Sequence, residues 1–215
     1  MIFRKRIDTI LLFLFFIFIS AGIWHGLPLK NIFDDEMYFV GGVFRNLSQF
    51  SILPGKEIPY GIIFYYINFF IDSVIVGLLI PFFKFNLGAL KDWMALNSHY
   101  FYLVPRIIST LSFIFLFVLL NKFLQSKIKE NSTRWTILFV TFFNLIVLTY
   151  GKTGKVWPLA TVLWISSLTF LFLSLETNGE ESKKNFIISS ILTGLCTSNF
   201  ALMSFSFINF PIYYL

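Results

Sequence analysis

Residues 101–120 read FYLVPRIISTLSFIFLFVLL, and Arg106 is the only charged residue among them. A helix that crosses a lipid bilayer needs about 20 mainly apolar residues, because only hydrogen bonds within the segment can satisfy the backbone inside the hydrocarbon. This stretch therefore predicts a transmembrane helix. Similar apolar segments lie on both sides of it in the chain, at 7–24, 60–83, 135–150, 156–175 and 186–215.

The composition agrees with a membrane environment for the whole chain. Of the 215 residues, 57% are apolar, 30 are Phe and 13% are charged, and the mean hydropathy is +0.77. A water-soluble core of this size would use far fewer Phe residues. We therefore expect residues 1–215 to form a single all-α membrane domain, a polytopic bundle of transmembrane helices in a lipid bilayer.

Composition also excludes several kinds of site. Cys196 is the only cysteine, which rules out a disulfide within the chain, and the two histidines give no zinc pattern. The net charge of +6 would suit a nucleic-acid partner, but the Lys and Arg residues lie in the connections between apolar segments. Basic residues at such places are topology signals, so no nucleic-acid role is expected.

The basic residues predict the orientation of the chain. Arg4, Lys5 and Arg6 precede the first apolar segment, which is too long for a cleaved signal peptide. An uncleaved anchor with a cytoplasmic N-terminus is therefore expected, in a multi-pass protein of the plasma (inner) membrane. The later basic clusters are Lys122, Lys127, Lys129 and Arg134, followed by Lys183 and Lys184.

Segment 60–83 decides where those clusters lie. If it does not cross the membrane, all of them fall on the cytoplasmic side, whereas a crossing moves the later clusters outside. The segment contains Asp72, and Pro81 lies near its end, so we interpret it as a re-entrant or interfacial helix. Residues 25–100 then form one large external region. The crossing alternative stays open from the sequence alone.

The last apolar segment is too long for one crossing. As a single helix, 186–215 would extend about 45 Å, against a hydrocarbon core of about 30 Å. A break near Ser198 is therefore expected. Because the sequence stops in an apolar stretch, we also expect it to be the N-terminal part of a longer protein or a truncated product.

Three adjacent carboxylates, Asp34, Asp35 and Glu36, follow the first apolar segment. In a chain with so few charges, this cluster is interpreted as the place where chemistry meets the membrane surface. The alternative is that the carboxylates only cap the helix expected to begin near Met37, since acidic side chains favour helix N-termini.

The order of these features resembles the GT-C superfamily of membrane glycosyltransferases, in particular its protein-mannosyltransferase and aminoarabinose-transferase branch. Members carry an Asp-Glu pair in the first external loop, juxtamembrane helices after it and an Arg that opens the next spanning helix. The corresponding elements are Asp35-Glu36 with the amphipathic stretch 37–45, Pro59-Tyr60-Gly61 before an aromatic segment, Pro105-Arg106, and the short turn 151–157. The chain departs from the family at Glu57-Ile58-Pro59, where many relatives have a basic residue, and it has no acidic residue in 151–157.

The resemblance implies an inverting transferase that moves a sugar from a polyprenyl-phosphate carrier to a hydroxyl acceptor on a lipid, glycan or protein. Asp35 would be the catalytic base, and Glu36 would orient the acceptor or bind a divalent metal. Arg106 would fork onto the carrier phosphate, with Lys152 and Lys155 adding phosphate affinity. A truncated chain would be inactive alone.

Each of these roles has a structural alternative. Arg106 would otherwise be an interfacial residue that snorkels, and Lys152 and Lys155 would be simple headgroup contacts. Asp72 becomes a functional candidate if it lies within the membrane. A non-enzymatic transporter or flippase component is the alternative function, although the segments hold few charges and no internal repeat. A structural membrane subunit without catalysis is a third interpretation.

Overall fold

The computed structural model describes residues 2–24, 34–55 and 61–199, without the side chains of residues 2–6, 34 and 35. This part of the chain contains helices and no strand, which confirms the all-α class. The helices are α1 Ile2–Ser20, α2 Asp34–Ser48, α3 Ile62–Leu79, α4 Leu87–Leu96, α5 His99–Lys127, α6 Asn131–Phe142, α7 Leu145–Tyr150, α8 Trp157–Glu176 and α9 Gly179–Asn199, with a 3₁₀ helix at Ile80–Phe83.

Several helices are long and apolar enough to cross a membrane. Within the described residues they are Ile62–Phe83, His99–Lys127 and Trp157–Glu176, while the apolar part of α1, Ile7–Ser20, is shorter. A bilayer is therefore the environment that the helices indicate.

Helix α5 is the centre of the structure. Its 29 residues extend about 43 Å, and it packs against α1, α6 and α8. Phe15 of α1 stacks on Phe117 of α5 with ring centroids 5.3 Å apart, and Phe142 of α6 lies 5.0 Å from Phe117. Aromatic packing therefore holds the middle of the bundle together.

A cluster of hydroxyl groups joins α8 to α9. The Ser167 and Thr193 hydroxyl oxygens are 2.6 Å apart, and the Ser189 hydroxyl donates to the Ser167 carbonyl at 2.8 Å. Small hydroxyl side chains let two helices approach closely and satisfy their polar atoms without water. This contact suits helices that lie side by side in lipid.

The structure has two ends that its polar contacts define. Helices α1 and α5 run in opposite directions: Asp8 accepts a hydrogen bond from Gln125 at 3.0 Å, whereas the Ile23 carbonyl accepts one from Arg106 at 2.8 Å. We refer to these as the Asp8 end and the Glu36 end, after Glu36, which binds Arg106. The basic clusters of α5, α6 and α9 belong to the Asp8 end.

Helix α3 begins and finishes at the Glu36 end. The Phe64 amide donates to the Asn199 side chain at 3.0 Å. About three turns later, Ile75 packs against the cluster of Val40, Phe101 and Tyr102, whose two aromatic residues lie at the start of α5. The connection from α3 back to α5 is short. Within it, the Trp93 ring of α4 lies between two other aromatic rings, with its centroid 5.8 Å from that of Phe83 and 6.4 Å from that of Tyr100. Whether α3 is interfacial or re-entrant in a bilayer stays a prediction.

Helix α3 buries polar side chains and exposes apolar ones, which is the reverse of the arrangement usual in a water-soluble protein. Asn68 and Asp72, one turn apart, are 1% and 0% exposed, and Tyr65 on the same face is buried. The opposite face exposes an apolar residue at every fourth position: Ile62, Tyr66, Phe70, Val74 and Leu78. A helix with polar groups inside and hydrocarbon outside indicates lipid as its solvent.

The structure differs from the predicted segments in two places, and a further predicted segment is described only in part. Residues 135–150, expected as one span, contain the end of α6 and all of α7, because the Asn144 side chain accepts the Val147 amide at 2.9 Å and caps a new helix. Helix α5 begins at His99, so Arg106 lies in its second turn instead of opening it. Part of the last segment, 200–215, lies outside the described residues.

The topology can be tested by cysteine labelling in a Cys196→Ala background. Lys91→Cys on α4 should react with a membrane-impermeant maleimide from outside intact cells, whereas Lys183→Cys on α9 should react only after the cells are opened. The reason is that α4 lies at the Glu36 end, which the positive-inside rule predicts to face outside, while α9 begins at the Asp8 end with the basic clusters. Labelling of both positions from the same side would contradict this arrangement.

Candidate functional site

Glu36 and Arg106 form a buried ion pair at the Glu36 end. The Arg106 Nε donates to Glu36 Oε1 at 2.9 Å, and Nη2 donates to Oε2 at 2.9 Å. The two side chains are 0% and 2% exposed. A bidentate pair of this kind is the strongest arrangement for a guanidinium and a carboxylate, because two charged hydrogen bonds form in one plane.

Two further hydrogen bonds connect this pair to other parts of the chain. The Gly154 amide donates to Glu36 Oε1 at 2.6 Å, and Arg106 Nη1 donates to the Ile23 carbonyl at 2.8 Å. The ion pair therefore joins α2 and α5 to the end of α1 and to the loop before α8. Breaking such a pair by removing one partner typically costs about 3–5 kcal/mol, because a buried charge is left without compensation.

The loop 151–156 is fastened to its neighbours through its backbone. Thr110 donates its hydroxyl to the Gly151 carbonyl at 2.8 Å, and Ser109 donates to the Lys155 carbonyl at 3.0 Å. Lys152 Nζ donates to the Ala21 carbonyl at 2.7 Å. Helix α5 thus presents Arg106, Ser109 and Thr110 on one side and holds the loop over the Glu36 carboxylate.

The structure brings some of the predicted site residues together and assigns contacts to them. The guanidinium edge of Arg106 that was expected to face a phosphate binds Glu36. Both Glu36 oxygens accept hydrogen bonds, and the described residues contain no group of three or more His, Cys, Asp or Glu side chains arranged for a metal. Phosphate contact by Arg106 and metal binding by Glu36 stay predictions.

Asp35 and the two loop lysines lie at the same end of the molecule. The backbone of Asp35 is in the first turn of α2, and its side chain lies outside the described residues. Lys152 and Lys155 belong to the loop that covers Glu36, and Lys155 Nζ lies 5.9 Å from the centre of the Tyr150 ring. The backbone thus places the predicted base one residue from the ion pair.

Asp72 is the second unusual acid of the structure. Neither of its carboxylate oxygens has a hydrogen-bond partner within the described part of the chain, and the same is true of the Asn68 side-chain oxygen. The Asn68 amide donates to the Phe64 carbonyl at 2.7 Å, which fixes its orientation. A carboxylate without a partner is costly to bury, so this position calls for a functional or chemical reason.

Sequence reasoning missed a second ion pair, at the Asp8 end, in which Arg134 is buried and Asp8 is partly exposed. Arg134, which was counted only as a topology signal, is 0% exposed and donates to Asp8 Oδ1 at 2.6 Å. The Trp135 indole donates to the same oxygen at 3.0 Å. The available signal was an acid inside a predicted apolar segment, since such a charge needs a partner.

Comparison of the chain with protein-family models, with curated proteins and with solved structures finds no match.

Gly154→Ala should disrupt the site. An added Cβ would lie 2.8 Å from Glu36 Cγ and 2.8 Å from Pro105 Cβ, so the loop must move and its hydrogen bond to Glu36 lengthens. We expect thermal unfolding of the detergent-solubilised protein to show a loss of about 1–3 kcal/mol.

Gly41→Ala is the matched control, because an added Cβ on this α2 residue meets nothing within 4 Å. It should leave stability unchanged or raise it by about 0.5–1 kcal/mol through the higher helix propensity of Ala. Equal effects of the two substitutions would contradict the proposed fit of the loop over Glu36.

Proposed function

We propose that this protein is a membrane glycosyltransferase that moves a sugar from a polyprenyl-phosphate carrier to a hydroxyl acceptor. The observation that carries the proposal is the ion pair between Glu36 and Arg106, with the Gly154 amide on the same carboxylate. It fixes the first turn of α2, and with it the backbone of Asp35, beneath a loop that carries two lysines.

In this mechanism, Asp35 accepts the proton of the acceptor hydroxyl while the acceptor oxygen attacks the anomeric carbon of the sugar. The bond from that carbon to the phosphate oxygen breaks on the opposite side, which inverts the configuration and releases the polyprenyl phosphate. Lys152 and Lys155 would stabilise the charge that grows on the leaving phosphate. Arg106 acts as a positioning residue through Glu36.

The proposed topology places this chemistry on the external membrane surface. The N-terminus and the Asp8 end, with its basic clusters, would face the cytoplasm. Helices α2, α3 and α4 would form a juxtamembrane group in the first external loop, with the apolar face of α3 in lipid. The carrier's hydrocarbon chain would then lie in the bilayer beside the site, and the acceptor would approach from outside.

Asp35→Asn should lower sugar transfer by about 10²-fold or more, because a positioned general base contributes roughly that factor. The assay measures the transfer of a labelled sugar from its polyprenyl-phosphate carrier to the acceptor, in membranes that contain the protein. Amounts of inserted protein should equal those of the parent, since the amide keeps the shape of the side chain.

The neighbouring substitution Asp34→Asn is the control and should have a much smaller effect on transfer. If Asp35→Asn retains the activity of the parent, Asp35 is not the base, and helix capping becomes the better explanation of the acidic cluster.

A second candidate function, transport, is favoured by Asp72. Buried acids in membrane helices often belong to ion or proton pathways, and both Asp72 oxygens are without partners in the described part of the chain. The two functions differ in what they require of Asp72, because a sugar transferase does not need an acidic side chain at this position.

If the protein is a transferase, Asp72→Asn should preserve sugar transfer and raise the free energy of unfolding by about 1 kcal/mol, because an amide costs less to bury than a carboxylate. The exposed Asp92→Asn on α4 is the control and should change neither quantity. Loss of an ion-driven uptake activity in Asp72→Asn, in proteoliposomes, would instead support transport.

A further inference from the structure

A cavity of about 310 Å³ opens between α1 and α5 at the Asp8 end. Leu12 and Phe117 form apolar parts of its wall, while Asp8, Asn121 and Lys122 supply polar groups. Because α1 and α5 run in opposite directions, the polar groups of both helices lie together toward the end of the bundle. The cavity therefore suits an amphipathic molecule with a polar group outward and hydrocarbon inward.

The polar groups of the cavity have unused hydrogen-bonding capacity. The Asn121 side-chain oxygen is buried without a donor. Among the side chains that the structure describes, Asp8 Oδ2 accepts one hydrogen bond, from Gln125 at 3.0 Å, and a carboxylate oxygen can accept about two. The Lys122 ammonium makes no hydrogen bond or ion pair with the residues that the structure describes.

The charges around the cavity indicate what would complement it. Asp8 is balanced by Arg134, so among the described side chains Lys122 contributes one uncompensated positive charge at the mouth of the cavity. Next to it lie Asn121 Oδ1, which has no donor in the described part of the chain, and Asp8 Oδ2, which can accept one more hydrogen bond. A complementary ligand thus carries an anionic group for Lys122 and, a few bonds away, a hydrogen-bond donor for Asn121 and Asp8.

We propose that this cavity binds a phospholipid headgroup that combines a phosphodiester with a hydrogen-bond donor. The phosphate contacts Lys122, the donor contacts Asn121 Oδ1 and Asp8 Oδ2, and the acyl chains follow Leu12 and Phe117 into the bilayer. Phosphoethanolamine and phosphoglycerol share this chemistry, whereas phosphocholine has no donor. The site lies away from the Glu36 end and does not depend on the proposed transferase.

The first experiment measures lipid binding to the delipidated, detergent-solubilised protein by native mass spectrometry. Phosphatidylethanolamine, phosphatidylglycerol and phosphatidylcholine with identical acyl chains are titrated separately. The two lipids with donors should bind at least about fivefold more tightly than phosphatidylcholine, as one gained hydrogen bond implies. The stronger of the two identifies the natural source of the donor, an ammonium or a hydroxyl.

Two variants separate the contacts of the headgroup. Lys122→Gln should weaken all three lipids by about threefold to tenfold, because each carries the phosphate. Asn121→Leu, of similar size, should reduce the preference for donor-bearing lipids without weakening phosphatidylcholine. Lys129→Gln removes an exposed charge at the same end and should leave all affinities unchanged.

Equal binding of the three lipids by the parent protein would overturn the proposal and leave an unspecific lipid groove. The same conclusion follows if Lys129→Gln weakens binding as much as Lys122→Gln, since the effect would then be general charge attraction. Lys122 is exposed, so its substitution tests the contact without disturbing the packing of α1 on α5.

Discussion

The buried ion pair between Glu36 and Arg106 is the constraint on which the Glu36 end depends. Neither charge can be left alone in an apolar interior, so α2 and α5 must meet where the two side chains do. The Gly154 amide and the Ile23 carbonyl take up further hydrogen-bonding capacity of the pair. Four separate parts of the chain are thereby held at one point without a disulfide.

The need to give buried polar groups a partner also explains which faces of the helices meet. In lipid, apolar side chains gain nothing by facing each other instead of the hydrocarbon, so polar contacts and close packing decide which surfaces meet. The hydroxyl groups of Ser167, Ser189 and Thr193 turn α8 toward α9. On α3, Asn68 and Asp72 point inward while the apolar residues remain outside. Asp72 is unusual because nothing in the described part of the chain compensates its carboxylate.

Much of the fold was predictable because its signals are local. Long apolar segments predict helices, and α1, α5 and α8 lie where these segments occur. The break between α6 and α7 was missed because it depends on one side chain, that of Asn144, which caps a helix inside an otherwise continuous apolar stretch. Asp35, Glu36 and Arg106 were each identified as candidates, yet nothing in their spacing indicated that Glu36 would occupy the bidentate edge of Arg106.

By itself, the sequence determined the helical class, the lipid environment and the residues too polar for their surroundings, because these follow from hydropathy and from charges counted along the chain. Tertiary structure alone decided the partners of those residues. Glu36 and Arg106 are separated by 70 positions, and Asp8 and Arg134 by 126. Local propensity carries no information over such separations. Only the packing of α1 and α2 against α5 and α6 brings these charges within hydrogen-bond distance, where each charge offsets part of the cost of burying its partner.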